Sequence, residues 1–175
     1  FERAPWYASA EAGRSALNGT GIHEIDLTRF FVGRPIESVA ALSNRLGALA
    51  FPKEKTTSAL FKFEGDAVGQ VTGTYEARWP PSGRIDDHLR VLGTEGMIVG
   101  MQVYREGENG WQDLSGLDHS IGTGISGAVN AFVDAVVDGA EIPVTGEDAF
   151  DSLAAAEAAD RSAAEGVALK PEALQ

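Results

Sequence analysis

The spacing of apolar and polar residues divides the chain into three parts with different periods. Residues 22–32 repeat at helical spacing, and Gly33 stands where helices favour a glycine. From Ile36 onward apolar and polar residues alternate in short runs, most clearly over residues 58–63, which predicts strands. After Gly127 the helical period returns. The chain is therefore expected to form a helix, then a run of strands, then further helices.

Glycine-containing segments separate the alternating runs and predict tight turns between antiparallel strands. Glu64–Asp66 joins two such runs, and Gly93–Gly96 joins two more. Within Gly107–Gly110, the pair Asn109-Gly110 suits a type I′ turn, after which Trp111 restarts an extended run. The middle of the chain thus predicts a meander of about five to seven strands built from adjacent hairpins.

Two helices are predicted towards the C-terminal end. The first has an apolar stripe at helical spacing, formed by Val129, Phe132, Val133, Val136 and Val137. Gly139 ends this helix, and Pro143 prevents its continuation. Thr145 and Asp148 form a capping pair for a second helix that extends to about Ala164. Because this second helix is rich in alanine, it is expected to pack closely against its neighbours.

These elements predict an α+β fold in which helices cover one face of an open, mostly antiparallel sheet. The other face then requires a partner or water. With 175 residues the chain can bury a core, and we expect one domain over residues 1–175. No apolar run approaches the roughly 20 residues that cross a bilayer, so we expect a soluble, cytoplasmic protein without a membrane partner. The start at Phe1, without a methionine or an apolar leader, is typical of a fragment or a processed form.

The composition excludes several classes of function. A net charge of −12 argues against nucleic-acid binding, which requires clustered Lys and Arg. Between positions 128 and 175 there are ten acidic residues against two basic ones, which is most simply a solvated helix surface. Because the chain has no cysteine, disulfides and thiol chemistry are excluded. No Gly-x-Ser-x-Gly elbow is present, so hydrolase chemistry is not indicated.

The segment with the strongest candidate for a catalytic residue is Gly19–Gly33, where His23 follows glycines at the predicted start of the first helix. An imidazole can take or give a proton near neutral pH, and a helix N-terminus fixes its direction. Trp6, Arg14 and Asn18 lie upstream and are candidates for a polar, substrate-binding pocket beside His23. The alternative is a solvent-exposed connection in which Trp6 serves as an anchor.

A metal site is not predicted. His23 and Glu24 diverge by about 100° around a helix, so they cannot easily bind one ion. Asp26 has an arginine three residues further on that can neutralise it. His88 and His119 could join these residues only through tertiary contacts.

The segment Gly122–Gly127, with the sequence Gly-Thr-Gly-Ile-Ser-Gly, matches the G-x-G-x-x-G fingerprint of dinucleotide-binding folds. A functional fingerprint directly follows a buried strand, which aims the next helix at the pyrophosphate, whereas here Leu117–Ser120 is polar. A second helix follows where a strand and an acidic residue are expected. We therefore interpret the segment as a flexible lead into a helix, and we predict no cofactor-binding residue in this chain.

Four separated segments occur in an order that is known from one domain family. They are Gly21–Phe30, Leu92–Gly96, Ala131–Gly139 and Pro143–Ala149. Together with the hairpins between them, they resemble the C-terminal domain of the glucose-fructose oxidoreductase, inositol dehydrogenase and MocA (Gfo/Idh/MocA) family. The resemblance runs from about Pro5 to Leu169, which is nearly the whole chain.

Members of that family carry an N-terminal Rossmann domain, which binds NAD or NADP, and then an α/β domain that shapes the substrate pocket and mediates oligomerisation through an open sheet. The resemblance implies that this chain is the second domain of an oxidoreductase for a sugar, polyol or related carbohydrate, with homo-oligomers formed through the open sheet face. It also implies that His23 lies beside the nicotinamide and the substrate hydroxyl and transfers a proton. Without the first domain, the chain is expected to be inactive and to bind no cofactor.

Two departures from the family pattern bear on catalysis. Gly19 stands where an acidic residue is often found four positions before the histidine, and Asn18 is one place off. The family's Glu-Lys-Pro motif belongs to the absent domain and is not replaced by Pro52–Lys55. These departures leave a second hypothesis open, a stand-alone, non-catalytic binding or dimerisation module of the same fold. A third is a salt-adapted structural domain in which His23 only occupies a polar niche.

Overall fold

The computed structural model describes residues 6, 9, 11, 14–78, 81, 89–118 and 120–172. The chain divides into two compact units, of which one combines residues 1–78 with 144–175 and the other spans residues 79–143. Among these described residues the strands form one sheet of three and one of four, where the sequence predicts a single sheet. One domain over residues 1–175 stays a prediction.

The first unit contains a three-stranded antiparallel sheet in the order β1-β2-β3. Its strands are β1 (Ile36–Asn44), β2 (Thr56–Phe63) and β3 (Val68–Thr74). The predicted turn at Glu64–Asp66 joins β2 to β3, and Lys62 pairs with Val68 across it. Gly65 and Asp66 have φ angles of 79° and 67°, the left-handed conformation that such tight turns need.

The alternation along these strands gives the sheet one buried and one open face. Ala59, Phe61 and Phe63 are buried, as their spacing predicts, whereas Leu60 between them is 51% exposed. On the open face, Leu42 and Val68 are also exposed. The apolar core therefore lies on one side of the sheet.

Two helices cover the buried face, α1 (Ile22–Val32) and α3 (Gly146–Glu165). The bounds of α1 agree with the prediction, and Gly33 closes it in the left-handed conformation. The predicted capping pair of α3 is confirmed, because Asp148 N donates to Thr145 Oγ1 at 3.1 Å and Thr145 N donates to Asp148 Oδ2 at 3.0 Å. The alanines of α3 pack against the sheet as expected, with five of them buried: Ala154, Ala155, Ala156, Ala158 and Ala159.

The second unit contains a four-stranded antiparallel sheet in the order β4-β5-β6-β7. Its strands are β4 (Arg90–Leu92), β5 (Gly96–Val99), β6 (Gln102–Arg105) and β7 (Gln112–Asp113). The predicted turn at Gly93–Gly96 joins β4 to β5. The predicted type I′ turn at Asn109-Gly110 is wrong, because such a turn needs positive φ at both residues and only Gly110, at 150°, has it.

The helix α2 spans Ile121–Asp138 and ends at Gly139, whose φ is 68°. It thus begins six residues before Gly127, where its apolar period starts in the sequence. Its predicted stripe is solvent-exposed, with Val129, Phe132 and Val133 between 47% and 59% exposed. With two antiparallel sheets, and with α1 and α3 on one face of the first, the predicted α+β class is confirmed.

Candidate active site

His23 is the second residue of α1, and its side chain is exposed. It does not stand at the start of a helix, because a π-helical turn, Leu17–Gly21, leads directly into α1. We call these five residues the π-turn. Gly21 before α1 has φ −67° and ψ −9°, which is helical backbone. The prediction that His23 lies at a helix N-terminus is therefore wrong, since the helical backbone begins upstream.

The start of the helical backbone is fixed by Ser15, which is fully buried. Its Oγ accepts a hydrogen bond from Asn18 N at 3.1 Å, and its carbonyl accepts one from Gly19 N at 2.8 Å. The first bond satisfies an N–H group that a helix start leaves unpaired, and the second is the first backbone bond of the helical segment. From the sequence alone, Gly19 and Gly21 are typical of a turn, because glycine does not favour a helix. Their helical conformation here is supported by Ser15 and by the burial of Ala16 and Leu17.

Asn18 lies on the π-turn and connects it to α3. Its Nδ2 donates to Glu157 Oε1 at 3.3 Å. A carboxylate therefore reaches the π-turn from α3, although position 19 carries a glycine. Sequence analysis missed Glu157, because the pair is separated by 139 positions and no local pattern connects them.

The two other predicted substrate-binding residues lie together. The guanidinium carbon of Arg14 is 5.6 Å from the ring centre of Trp6, which is a cation–π contact, and the Trp6 side chain is 60% exposed. The structure thus pairs Arg14 with Trp6, and it pairs Asn18 with Glu157. Contact of Trp6, Arg14 and Asn18 with a substrate stays a prediction.

Arg29, which follows His23 on α1, connects this helix to α3. Its Nη1 donates to Ser152 Oγ at 2.8 Å and to the Asp148 carbonyl at 2.6 Å, and its Nη2 lies 2.9 Å from Asp151 Oδ2. Asp26 Oδ1 lies 3.7 Å from Arg29 Nη1, as the sequence predicts. These contacts fix the orientation of α1, and with it that of His23, relative to α3.

Asp26 takes part in the same contact between α1 and α3, because Ser152 Oγ donates to its Oδ1 at 2.9 Å. Within the described part of the chain, no three His, Asp or Glu side chains come together as metal ligands do. His88 and His119 lie outside the described residues.

Asp160 of α3 is a partly buried carboxylic acid. Burial raises its pKa from 3.8 to about 6, against the opposing hydrogen bond from Ser15. The negative charges of Glu157 and Glu54 raise this pKa further, and the Lys53 ammonium lowers it. The carboxyl therefore loses its proton at a higher pH in the folded protein than in the unfolded chain.

The family model described as "GFO/IDH/MocA C-terminal domain" matches residues 1–99. The chain belongs to this family. The resemblance found in the sequence is thereby confirmed, and we refer to the chain below as the GFO/IDH/MocA domain. No curated protein matches the chain.

Solved structures share the fold of the GFO/IDH/MocA domain. GenD2 from gentamicin A biosynthesis, in complex with NAD, is 28% identical with a TM-score of 0.73, and the match covers 96% of this chain and 51% of GenD2. An NAD binding oxidoreductase from Klebsiella pneumoniae is 19% identical with a TM-score of 0.78, over 95% of this chain and 54% of that one. The WlbA dehydrogenase from Bordetella pertussis, in complex with NADH and UDP-GlcNAcA, is 22% identical with a TM-score of 0.64, over 92% and 46% of the two chains. The GFO/IDH/MocA domain thus spans about half the length of these proteins.

The fingerprint-like segment Gly122–Gly127 forms the first two turns of α2. Ser120 Oγ caps this helix by accepting from Thr123 N at 3.2 Å, and Thr123 Oγ1 donates to Asp118 Oδ2 at 2.7 Å. The interpretation as a flexible lead is therefore wrong, because the glycines are themselves helical. The loop conformation that binds a pyrophosphate is not formed by these residues.

The helices in the described part of the GFO/IDH/MocA domain lack the length and apolar character needed to cross a membrane. A cytoplasmic location stays a prediction.

Proposed function

We propose that the GFO/IDH/MocA domain is the substrate-binding half of an NAD(P)-dependent oxidoreductase acting on a sugar, polyol or related carbohydrate. The observation that carries this proposal is the 28% identity with GenD2, a protein solved in complex with NAD, over 96% of this chain. The carbohydrate class is supported by WlbA, whose structure contains UDP-GlcNAcA.

The fingerprint-like segment Gly122–Gly127 does not fit a dinucleotide site. Gly122–Gly127 is helical and offers no loop of free N–H groups for a pyrophosphate. We therefore assign dinucleotide binding to a Rossmann domain outside this sequence, where the bound dinucleotide would accept the substrate's hydride in the oxidative direction and supply it in the reductive direction.

The role proposed for His23 is proton transfer at the substrate hydroxyl. In the oxidative direction an imidazole nitrogen takes the hydroxyl proton as the carbonyl forms, and in the reductive direction it returns that proton to the oxygen. Exposure of the His23 side chain on α1 leaves it accessible to a substrate. The Arg29 contacts to α3 hold the helix, so that the imidazole does not have to be positioned by the substrate itself.

Substrate recognition is proposed for Trp6, Arg14 and Asn18. The guanidinium of Arg14 offers several N–H donors for hydroxyl or carboxylate oxygens, and its stacking on Trp6 restricts its orientation. The Asn18 side chain, held by Glu157, adds an amide at the π-turn.

The experiment is a steady-state assay of the complete polypeptide encoded by the gene, with NAD⁺ or NADP⁺ and a panel of sugars, polyols and uronic acids. We expect reduced dinucleotide, followed by absorbance, with at least one of them. Arg14→Ala is expected to raise KM about tenfold or more, whereas Arg45→Ala, a control at an exposed position that contacts Glu54, leaves KM unchanged. A complete polypeptide that binds neither dinucleotide contradicts the proposal.

We also propose that the open face of the β1-β2-β3 sheet pairs with a second copy of the chain. Leu42, Leu60 and Val68 are exposed on this face at 79%, 51% and 70%. Between them, Ser58 Oγ and Thr72 Oγ1 are hydrogen-bonded at 2.9 Å, so the polar groups of the face are partly satisfied within it. The same pairing is required by the alternative function, a non-catalytic dimerisation module.

Sedimentation equilibrium tests this pairing. We expect a dimer for the native chain and a monomer for Leu60→Arg, since pairing of this face would bury a guanidinium without a charged partner. Leu46→Arg, at a position that is 75% exposed outside the strands, is the control and should remain dimeric. A native chain that stays monomeric at high concentration contradicts the pairing and removes the dimerisation alternative.

A further inference from the structure

The π-turn sets the direction in which His23 projects from the helix, relative to the buried residues at the start of that helix. A π-helical turn contains one residue more than an α-helical turn, so it rotates every following residue by about 100° compared with an uninterrupted α-helix. Ala16 and Leu17, before and at the start of the π-turn, are fully buried, and His23 follows its end. The position of His23 therefore depends on how this buried start is held.

The end of β3 holds that start through a close backbone approach at Gly73. A Cβ atom on Gly73 would lie 2.9 Å from the Ala16 carbonyl oxygen and 3.2 Å from Leu17 Cα. Both are backbone atoms, which cannot move away as the tip of a side chain can. Position 73 therefore requires glycine because the π-turn backbone leaves no space for a side chain, and not because of the φ angle of Gly73.

Tyr75, just after β3, holds the same segment by a hydrogen bond. Its hydroxyl donates to the Ser15 carbonyl at 3.1 Å, and its ring packs on Phe51 with ring centres 4.7 Å apart. A third contact comes from the loop before β2, where the Glu54 carbonyl accepts from Ala16 N at 3.1 Å. The start of the π-turn is therefore held both from the end of β3 and from the loop before β2.

We propose that Gly73 and Tyr75 are positioning residues for His23. Neither residue is assigned a contact with substrate; both act by holding the start of the π-turn, which sets the direction of Asn18 and His23. This proposal rests on the proton-transfer role proposed above for His23. A displacement of a few tenths of an ångström at Gly73 is passed on through a helix that has no loop in between to absorb it.

The test compares Gly73→Ala with Gly146→Ala, a control at the first residue of α3. A Cβ on Gly146 would meet no atom within 4 Å outside its own helix, so this variant adds the same methyl group without crowding the π-turn or α1. Tyr75→Phe is the third variant, since it removes the hydroxyl and keeps the ring on Phe51.

The first readout uses the 175-residue chain and needs no activity. Nitrogen–proton NMR spectra of the imidazoles are simple, because the chain has three histidines and a His23→Gln variant assigns the one of interest. We expect Gly73→Ala and Tyr75→Phe to shift the Asn18 amide and the His23 ring signals. Gly146→Ala is expected to leave the Asn18 amide and the His23 ring signals in place.

The second readout is kcat and KM of the complete polypeptide. Gly73→Ala should lower kcat on the order of tenfold and Tyr75→Phe about threefold or more, with KM changed less than kcat, while Gly146→Ala stays within about twofold. Equal losses in Gly73→Ala and Gly146→Ala, or a folded Gly73→Ala with unchanged kcat and NMR signals, overturn the proposal. If Gly73→Ala does not fold, Tyr75→Phe decides, and unchanged Asn18 and His23 signals in that variant also overturn it. A failure of the proton-transfer role proposed for His23 is distinguishable from a failure of this proposal. In the first case His23→Asn would retain activity, while Gly73→Ala and Tyr75→Phe would still shift the NMR signals of Asn18 and His23.

Discussion

Asp160→Asn tests the packing of α3 against the segment that carries the π-turn. Asp160 Oδ1 is buried and has no hydrogen-bond partner among the described residues. Burial is the main reason why the pKa of this carboxyl rises from 3.8 to about 6. An asparagine has nearly the same shape but no charge to withdraw from water.

The sign of the effect follows from the raised pKa. Well below pH 3.8 the carboxyl is protonated in both the folded and the unfolded chain, so its stabilising contribution is complete. This contribution is lost progressively as the pH rises from 3.8 through about 6, because the unfolded chain ionises before the folded one. A pKa difference between 3.8 and about 6 corresponds to about 3 kcal/mol at 1.36 kcal/mol per unit. Because Asp160 is only partly withdrawn from water, we expect about 1 to 2 kcal/mol of this to be realised.

The assay is urea unfolding of the native chain and Asp160→Asn at pH 4.5 and pH 7.5. At pH 7.5 the variant should be more stable by about 1 to 2 kcal/mol, and at pH 4.5, which is still above the unfolded pKa of 3.8, the difference should fall to about half of that. Glu165→Gln, at an exposed position of α3 that pairs with Arg161, is the control and should show no such pH dependence. A variant that is equally or less stable at pH 7.5 refutes the reasoning.

Three further predictions concern single interactions in the first unit, each checked by urea unfolding. Thr57→Val should raise the free energy of unfolding by about 1 kcal/mol, because the Thr57 hydroxyl is buried without a partner among the described residues; a loss of stability would reveal a missed partner. Glu76→Ala should lower it by about 3 kcal/mol, since Lys55, 3.5 Å away, is left charged and buried; a loss below about 1 kcal/mol contradicts this. Arg29→Lys should cost about 1 to 2 kcal/mol, because an ammonium cannot bond both Ser152 and the Asp148 carbonyl as the guanidinium does; an unchanged stability would show that these bonds contribute little.

Local patterns in the sequence predict much of the fold. The alternation at 58–63, the turn at Glu64–Asp66 and the capping pair Thr145 and Asp148 each depend on residues within a few positions of one another. Such features follow from period, turn chemistry and capping. Gly122–Gly127 shows the limit of this reasoning, because Ser120 caps these glycines into α2 although glycine itself does not favour a helix.

The candidate site is less predictable, because it is assembled from distant parts of the chain. His23 is recognisable from its motif, but the π-turn before it depends on Gly73 and Tyr75 in the sheet and on the burial of Ala16 and Leu17. No spacing in the sequence connects these residues. Glycines before a histidine are therefore compatible with a loop as well as with a π-turn, and tertiary contacts decide between them.

The central claim, proton transfer by His23, is tested most directly by kcat of the complete polypeptide in His23→Asn and in Glu24→Gln. Glu24 is the next residue on α1 and is also exposed, so its variant controls for a change on the same helix surface. We predict that His23→Asn lowers kcat about a hundredfold or more, as expected for the loss of a general acid–base group, and that Glu24→Gln stays within about twofold. A kcat for His23→Asn within about twofold of the native value would contradict the account.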